Sequence, residues 1–360
     1  MSNINKTFFY HLLIISIVFL AFAIFTNALA NTPPIGLAPD KILYVDKNNP
    51  DAFHTIQAAI NHSSEYKSVI VLIAPGYYKE KLFITRNNLS LVGSSAKSSI
   101  IAFDELRSNW RENHQSDWGA AVINIAGSDI NIVNLTVINN YGRKHNTSEH
   151  QFAIRGFENA TRITLHQCHM IADGADTVSL WNKKNGMYYH SYCTFEGYTD
   201  MVCPRGSALI ENSTFINHKQ SATLWHDGEL DPQQKLVVKN SYFKGTPGYL
   251  LARHHYDAQF YLIDNHFSKE MADTAIFKKT YNDTSKNRAN KYGSRYFFYN
   301  NQSENSYPWL KNNFVPDDNY LGHQTYEQWV FDNQWSPKQH LAIIEKAITE
   351  TAFAFDGFSY

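Results

Sequence analysis

Short stretches in which apolar and polar residues alternate recur through the middle of the chain. They run Asn131–Val137, Arg162–Cys168, Met187–Cys193, Ala208–Phe215, Leu236–Phe243 and Phe260–Phe267, with an earlier copy at Asn87–Gly93. Each has the period of a half-buried β-strand, and each carries an Asn, Gln or Tyr near the same phase. From Asn131 onward, successive stretches begin roughly 20 to 33 residues apart, the period of a stacked repeat. A β-sandwich has strands of similar length but gives no reason for a phased polar position. The pattern therefore predicts an all-β, right-handed parallel β-helix, one rung per repeat, with the phased polar residues forming a hydrogen-bonded ladder along the stack.

A solenoid leaves two open ends that must be covered. At the front, Asp51–Ile60 has helical apolar spacing and is expected to close the first coil. At the back, Ser336-Pro337 opens a run to about Phe353, with Ser as N-cap, Pro at the first helical position and Ile343, Ile344 and Ile348 on one face. This predicts a C-terminal helix, about 336–353, lying on the coil. Residues 1–30 read as a signal peptide: Lys6 precedes an apolar run from Phe8 to about Phe25, and Ala28-Leu29-Ala30 is a small-x-small cleavage site. A signal anchor is the competing reading. Cleavage after Ala30 would leave residues 31–360 as a single β-helix domain, secreted or periplasmic.

Composition changes this picture little. Aromatic residues make up 14% and charged residues 18% of the chain, which suits a β-rich globular protein rather than a disordered one. A formal net charge of −1 gives no bulk attraction to nucleic acid or to a membrane surface, and neither is expected as a partner. Cys168 and Cys193 share a phase in adjacent repeats, so they can stack as thiols or, in an oxidising compartment, as a disulfide. Cys203 stands apart. No Cys/His spacing suits zinc, and no metal or other cofactor is expected.

The chemistry enters with two short segments, Gly174-Ala175-Asp176-Thr177 and Gly197-Tyr198-Thr199-Asp200. One repeat separates Asp176 from Asp200, so on a solenoid the two carboxylates would stack on one face, about 4.8 Å between rungs. Two carboxylates that close do not both ionise easily, and one can serve as nucleophile or base while the other keeps its proton. That is the outline of a hydrolase acting on an extended polymer. Arg253 can lower the pKa of one carboxylate, Gln151 can donate an amide N–H to an oxyanion, and Trp181, Tyr198, Trp225 and His226 are candidates for contact with a sugar ring.

From about Ile42 to about Leu321 the chain resembles the pectinesterases. Phe53–Ile60 is similar to the family's opening helix motif, and Pro75-Gly76-Tyr77-Tyr78-Lys79-Glu80 to its Gly-x-Tyr-x-Glu segment, followed by Leu89–Gly93. Gln151-Phe152-Ala153-Ile154 resembles the Gln-Ala-Val-Ala-Leu segment, whose Gln helps form the oxyanion hole. Gly174–Thr177 resembles Gly-Tyr-Gln-Asp-Thr, which puts Asp176 at the general acid/base position, with Ala175 where the family has a second oxyanion Gln. Gly197–Val202 resembles Gly-Thr-Val-Asp-Phe-Ile and places Asp200 as the nucleophile. Leu251-Ala252-Arg253-His254-His255 resembles Leu-Gly-Arg-Pro-Trp, which makes Arg253 the residue that orients the nucleophile and puts His255 in place of a substrate-stacking Trp.

The resemblance implies an exported carboxylic ester hydrolase acting on pectin (homogalacturonan) and releasing methanol, and a capped solenoid is expected to be a monomer. Ala175 and His255 keep two other readings open: an esterase or thioesterase for a different acyl group, and a polysaccharide-binding β-helix without catalysis. A lyase or glycosidase on the same coil would want a Ca²⁺-binding carboxylate cluster or a wider carboxylate pair, and neither is evident.

Overall fold

A computed structural model describes residues 37–352; the signal-peptide and cleavage-site assignments lie outside the described residues. Among them, three parallel sheets of ten, eight and nine strands run the length of a right-handed β-helix. Every strand but the two at the edges of each sheet pairs in parallel register with its counterpart one rung before and one rung after. Ile163, for example, lies between Ile130 and Tyr188. The inward side chains fill the coil as continuous stacks. Phe195, Phe215, Phe243 and Phe267 are in register and fully buried, with ring centroids 5.3, 4.4 and 5.0 Å apart.

The repeat differs from the sequence expectation in its inner detail. From Asn131 onward the alternating stretches run into or through a corner between two strands rather than forming one strand: Ile130–Val133 and Thr136–Asn139 in one rung, Met187–Ser191 and Thr194–Gly197 two rungs later. The phased polar residues occupy that corner. Asn134, Gln167, Tyr192, Asn212, Asn240 and Asp264 all have φ between 50° and 55°. This left-handed conformation is costly for most L-residues and is best tolerated by Asn and Asp, which explains much of the phasing. The hydrogen-bonded ladder exists, but one residue further on. Cys193 N donates to Ser213 Oγ (3.1 Å), Ser213 N to Ser241 Oγ (3.1 Å), Ser241 N to Asn265 Oδ1 (2.9 Å) and Asn265 N to Asn301 Oδ1 (3.1 Å). Cys168 and Cys193 head this column as buried free thiols, with no bond between them.

The front end is covered by helix, the far end of the core is closed by Tyr307 and Leu310, and the C-terminal helix lies along the side of the coil. The front helix spans Ile56–His62, and its Ile56, Ala59 and Ile60 enter the coil's core. Thr55 Oγ1 accepts from Ala58 N at 3.3 Å, while Glu80 accepts from Ile56 N and Gln57 N at 3.0 Å each. The two opening motifs thus meet in space: the carboxylate of one closes the positive end of the other's helix. The C-terminal helix, Pro337–Ala352, lays Ile344 and Ile348 against Ile70, Leu72, Val92 and Val133 on the outer face of the ten-stranded sheet. Val330, Phe331 and Trp335 cover the same face further along, over Tyr189, Leu209, Val237 and Tyr261.

Candidate active site

The candidate residues gather on the eight-stranded sheet, in the strands Phe152–Gly156, Val178–Leu180, Val202–Pro204, Ala222–Trp225 and Leu250–His254. Ile154, Val178, Val202, Leu224 and Ala252 align rung upon rung and point into the core. Alternation then turns their C-terminal neighbours outward: Arg155, Ser179, Cys203, Trp225 and Arg253.

Asp176 and Asp200 sit at the corner that feeds this sheet. Ala175 and Thr199 form a parallel bridge, Asp176 N donates to Thr199 O (2.9 Å), and Asp200 N donates to Ala222 O (2.7 Å). Both aspartates are left-handed, with φ of 66° and 50°. That conformation breaks the strand and displays each carboxylate at the rim, one rung apart.

The two environments differ. Asp200 is 6% exposed, and Arg253 grips its carboxylate from the side: Nε donates to Oδ1 at 3.0 Å and to Oδ2 at 3.2 Å, and Nη2 to Oδ2 at 2.8 Å. Burial pushes the Asp200 carboxyl up to about 6; Arg253 pulls the other way, and the negative field of Asp176 adds to the rise. Asp176 is half-buried and opens onto a cleft of about 570 Å³, walled by Arg155, Trp181, Phe152, Arg107 and Arg111. Its Oδ2 accepts from Ser179 Oγ at 3.4 Å. Ser179 Oγ in turn accepts from Trp181 Nε1 (2.9 Å) and Arg155 Nη1 (3.2 Å).

Three of the expected contacts take a different form. Gln151 is fully buried and its amide is used internally: Oε1 accepts from Gly142 N (2.6 Å), and Nε2 donates towards the carbonyls of Thr147, Glu149 and Asp173 at 3.1–3.4 Å. The amide is wedged between two glycines, where a Cβ on Gly142 or Gly174 would stand 2.6 or 2.8 Å from Nε2. It therefore presents no N–H to the cleft. His226 is also fully buried; Nε2 bonds Gly206 O (2.8 Å) and Nδ1 accepts from Gln259 N (3.1 Å), so it holds two rungs together and has no face for a sugar. Burial depresses its pKa to about 3, consistent with a neutral ring. Trp181 lines the cleft, but its ring is covered by the guanidinium of Arg205 at 3.9 Å and that of Arg155 at 4.9 Å. Two cations thus already pack against the ring that was expected to meet a sugar.

The remaining candidates lie around the pair. Trp225 is 7% exposed, between Arg205 (5.7 Å) and the ring of His255 (6.4 Å), and His255 packs edge-on to Tyr281 at 4.9 Å. Tyr198, two residues before Asp200, faces a separate polar cavity of about 380 Å³ with Arg143, Asp173, Glu196 and His218.

Sequence reasoning passed over Arg155, Ser179, Arg205 and Asp117. Arg155 and Ser179 had a signal, since they are polar residues at the outward phase of the rungs next to Asp176. Asp117 had none: it comes from an inter-rung loop, where it binds Arg155 at 2.7 Å, Arg107 at 3.0 Å and Arg111 at 3.3 Å.

Known proteins share this arrangement of rungs. The chain superimposes on a pectin methylesterase solved with a hexasaccharide, with a TM-score of 0.68 at 19% identity, over 84% of this chain and 99% of that one. The pectin methylesterase of carrot gives 0.63 at 14% identity, over 85% and 97%. These likenesses show the fold. Among curated proteins, pectinesterase A of Dickeya dadantii is 34% identical over 103 residues, 27% of this chain and 28% of that protein. Probable pectinesterase A of Neosartorya fischeri is 27% identical over 178 residues, 48% of this chain, so the match spans about half (51%) of the relative. The pectinesterase family profile matches residues 43–284, the stretch holding both aspartates, Arg253 and the rungs that carry them. The chain belongs to the pectinesterase family.

Proposed function

We propose that this protein is an exported carbohydrate esterase that hydrolyses the methyl esters of pectin to free carboxylates and methanol. The observation that carries the reading is the unequal carboxylate pair: Asp200 buried and gripped by Arg253, Asp176 one rung away and open to the cleft. In the reaction, Asp200 attacks the ester carbonyl as the carboxylate, and the π pair moves onto the carbonyl oxygen. Collapse of the tetrahedral intermediate breaks the bond to the methoxy oxygen, which leaves as methanol with the proton of Asp176. Asp176, now ionised, takes a proton from water as that water attacks the acyl carbon. Asp200 leaves as the carboxylate and both residues return to their starting forms. Pectin as substrate is supported by family membership and by the methylesterase structures that share the fold.

The test is methanol release from highly methylated pectin by the protein lacking residues 1–30, beside Asp200→Ala and Asp176→Ala. Loss of release in both variants supports the assignment, and release that survives Asp200→Ala removes the nucleophile. Export has its own check, in which sequencing of the protein recovered from periplasm or medium should begin at Asn31.

A further inference from the structure

Neither position expected to supply an amide donor to the oxyanion does so. Ala175 has no donor, and the Gln151 amide is enclosed by Gly142, Thr147, Glu149 and Asp173. A tetrahedral intermediate built on Asp200 still places a full negative charge on the former carbonyl oxygen. The charge has to be met by something else in the cleft wall.

We propose that the guanidinium of Arg155 is that donor, a catalytic residue that holds the oxyanion in place of an amide. The proposal rests on the ester-hydrolase reading above. Arg155 is 7% exposed and lies in the wall of the same cleft as Asp176. Two of its five N–H groups are committed at Nη2 to Asp117 Oδ2 (2.7 Å) and at Nη1 to Ser179 Oγ (3.2 Å), which leaves a second N–H on each; Nε is enclosed and has no partner among the described residues. A buried arginine with unspent donors is costly unless something binds them. Its plane is set by the rings of Phe152 (4.7 Å) and Trp181 (4.9 Å), so little reorganisation is needed when the charge appears. Ser179 links it to the proton donor, since the hydroxyl accepts from Arg155 and donates to Asp176 Oδ2. One cation thus stands in the wall beside the proton donor, where the departing methoxy group takes its proton.

Arg205, the other buried guanidinium nearby, suits the role less well. It gives Nη1 to Cys203 O (3.1 Å), lies between Trp181 and Trp225, and is not part of the cleft wall.

The experiment compares kcat and KM for methanol release by wild type, Arg155→Gln and Arg155→Lys across pH, with thermal unfolding of each. Arg155→Gln should fold, because Asp117 keeps Arg107 at 3.0 Å and Arg111 at 3.3 Å. Its kcat should fall roughly 10²–10³-fold at every pH, with KM changed by less than about threefold and the acid limb of the profile unmoved. Arg155→Lys, which keeps the charge, should recover about tenfold or more of that loss. An effect confined to KM would make Arg155 a ground-state contact and overturn the proposal. A kcat loss that disappears on changing pH would mean that Arg155 acts on the protonation of a neighbouring group, and would overturn it too. An active wild type whose rate ignores Arg155→Gln removes Arg155 alone. A folded wild type that releases no methanol removes the esterase reading, and the oxyanion role falls with it.

Discussion

Replacing Arg253 by Gln tests the central electrostatic claim of the proposed reaction, that Asp200 is ionised at working pH because a cation offsets its burial. Asp200 is 6% exposed and keeps three N–H contacts of 2.8–3.2 Å from Arg253. With that cation in place its pKa is about 6. An opposite charge in direct contact lowers a carboxyl by about 1–3 pH units, worth about 1.4–4 kcal/mol. Arg253→Gln should therefore carry Asp200 up to about 7–9. At pH 7 a wild-type carboxyl of pKa about 6 is roughly nine-tenths ionised, whereas one of pKa about 8 is roughly one-tenth ionised. The assay is kcat/KM for methanol release across pH at constant ionic strength, with the spontaneous hydrolysis of pectin subtracted. The acid limb should move up by about 1–3 units and the variant should regain much of its rate at high pH. A limb that stays near 6 while the plateau drops would refute the reasoning and leave Arg253 as a contact for substrate or fold.

Three further outcomes follow from the same coordinates. The folded pKa of Asp200 (about 6) lies above its unfolded value of 3.8, so its contribution to stability is fully present below about pH 4 and is lost as pH rises through 6, by about 3 kcal/mol. Asp200→Asn should flatten denaturant-derived stability between pH 4 and 6, and an unchanged slope there would show that Asp200 is not the group responsible. Phe215→Ala opens a gap between rings 5.3 and 4.4 Å away and should cost about 3–5 kcal/mol in equilibrium unfolding; a cost below about 1 kcal/mol would mean the stack collapses freely. Glu80→Gln weakens two 3.0 Å contacts at the front helix and should cost about 1–2 kcal/mol, with hydrogen exchange rising first in Ile56–His62. Uniform exchange along the coil would argue against a local cap.

Much of the coil was legible because its rules are local and repeat. A corner that demands positive φ favours Asn and Asp, so Asn212, Asn240 and Asp264 mark their rungs in the bare sequence, while Gln167 and Tyr192 occupy the same corner in two others. What those residues do there was less legible. A phased polar residue can serve as a corner or as a ladder, and only the backbone showed the corner at Asn240 and the ladder at Ser241.

By itself the sequence determined the rung period, and with it the placing of Asp176 and Asp200 on adjacent rungs, while the family resemblance put Arg253 beside Asp200. Parallel in-register pairing turns distance along the chain into position along the axis, so residues inside the repeat could be placed without the fold. Tertiary structure decided everything that depends on the loops between rungs, whose lengths follow no period. The segment around Gly142–Glu149 folds back and captures the amide of Gln151. Asp117 arrives from another such loop to hold Arg155 at the edge of the cleft. His226 lay at the right phase for a site residue, yet its two ring nitrogens are bonded to the backbone of neighbouring rungs. Whether a polar side chain faces substrate or backbone depends on which partner is nearer once the loops are in place, and no local pattern carries that distance.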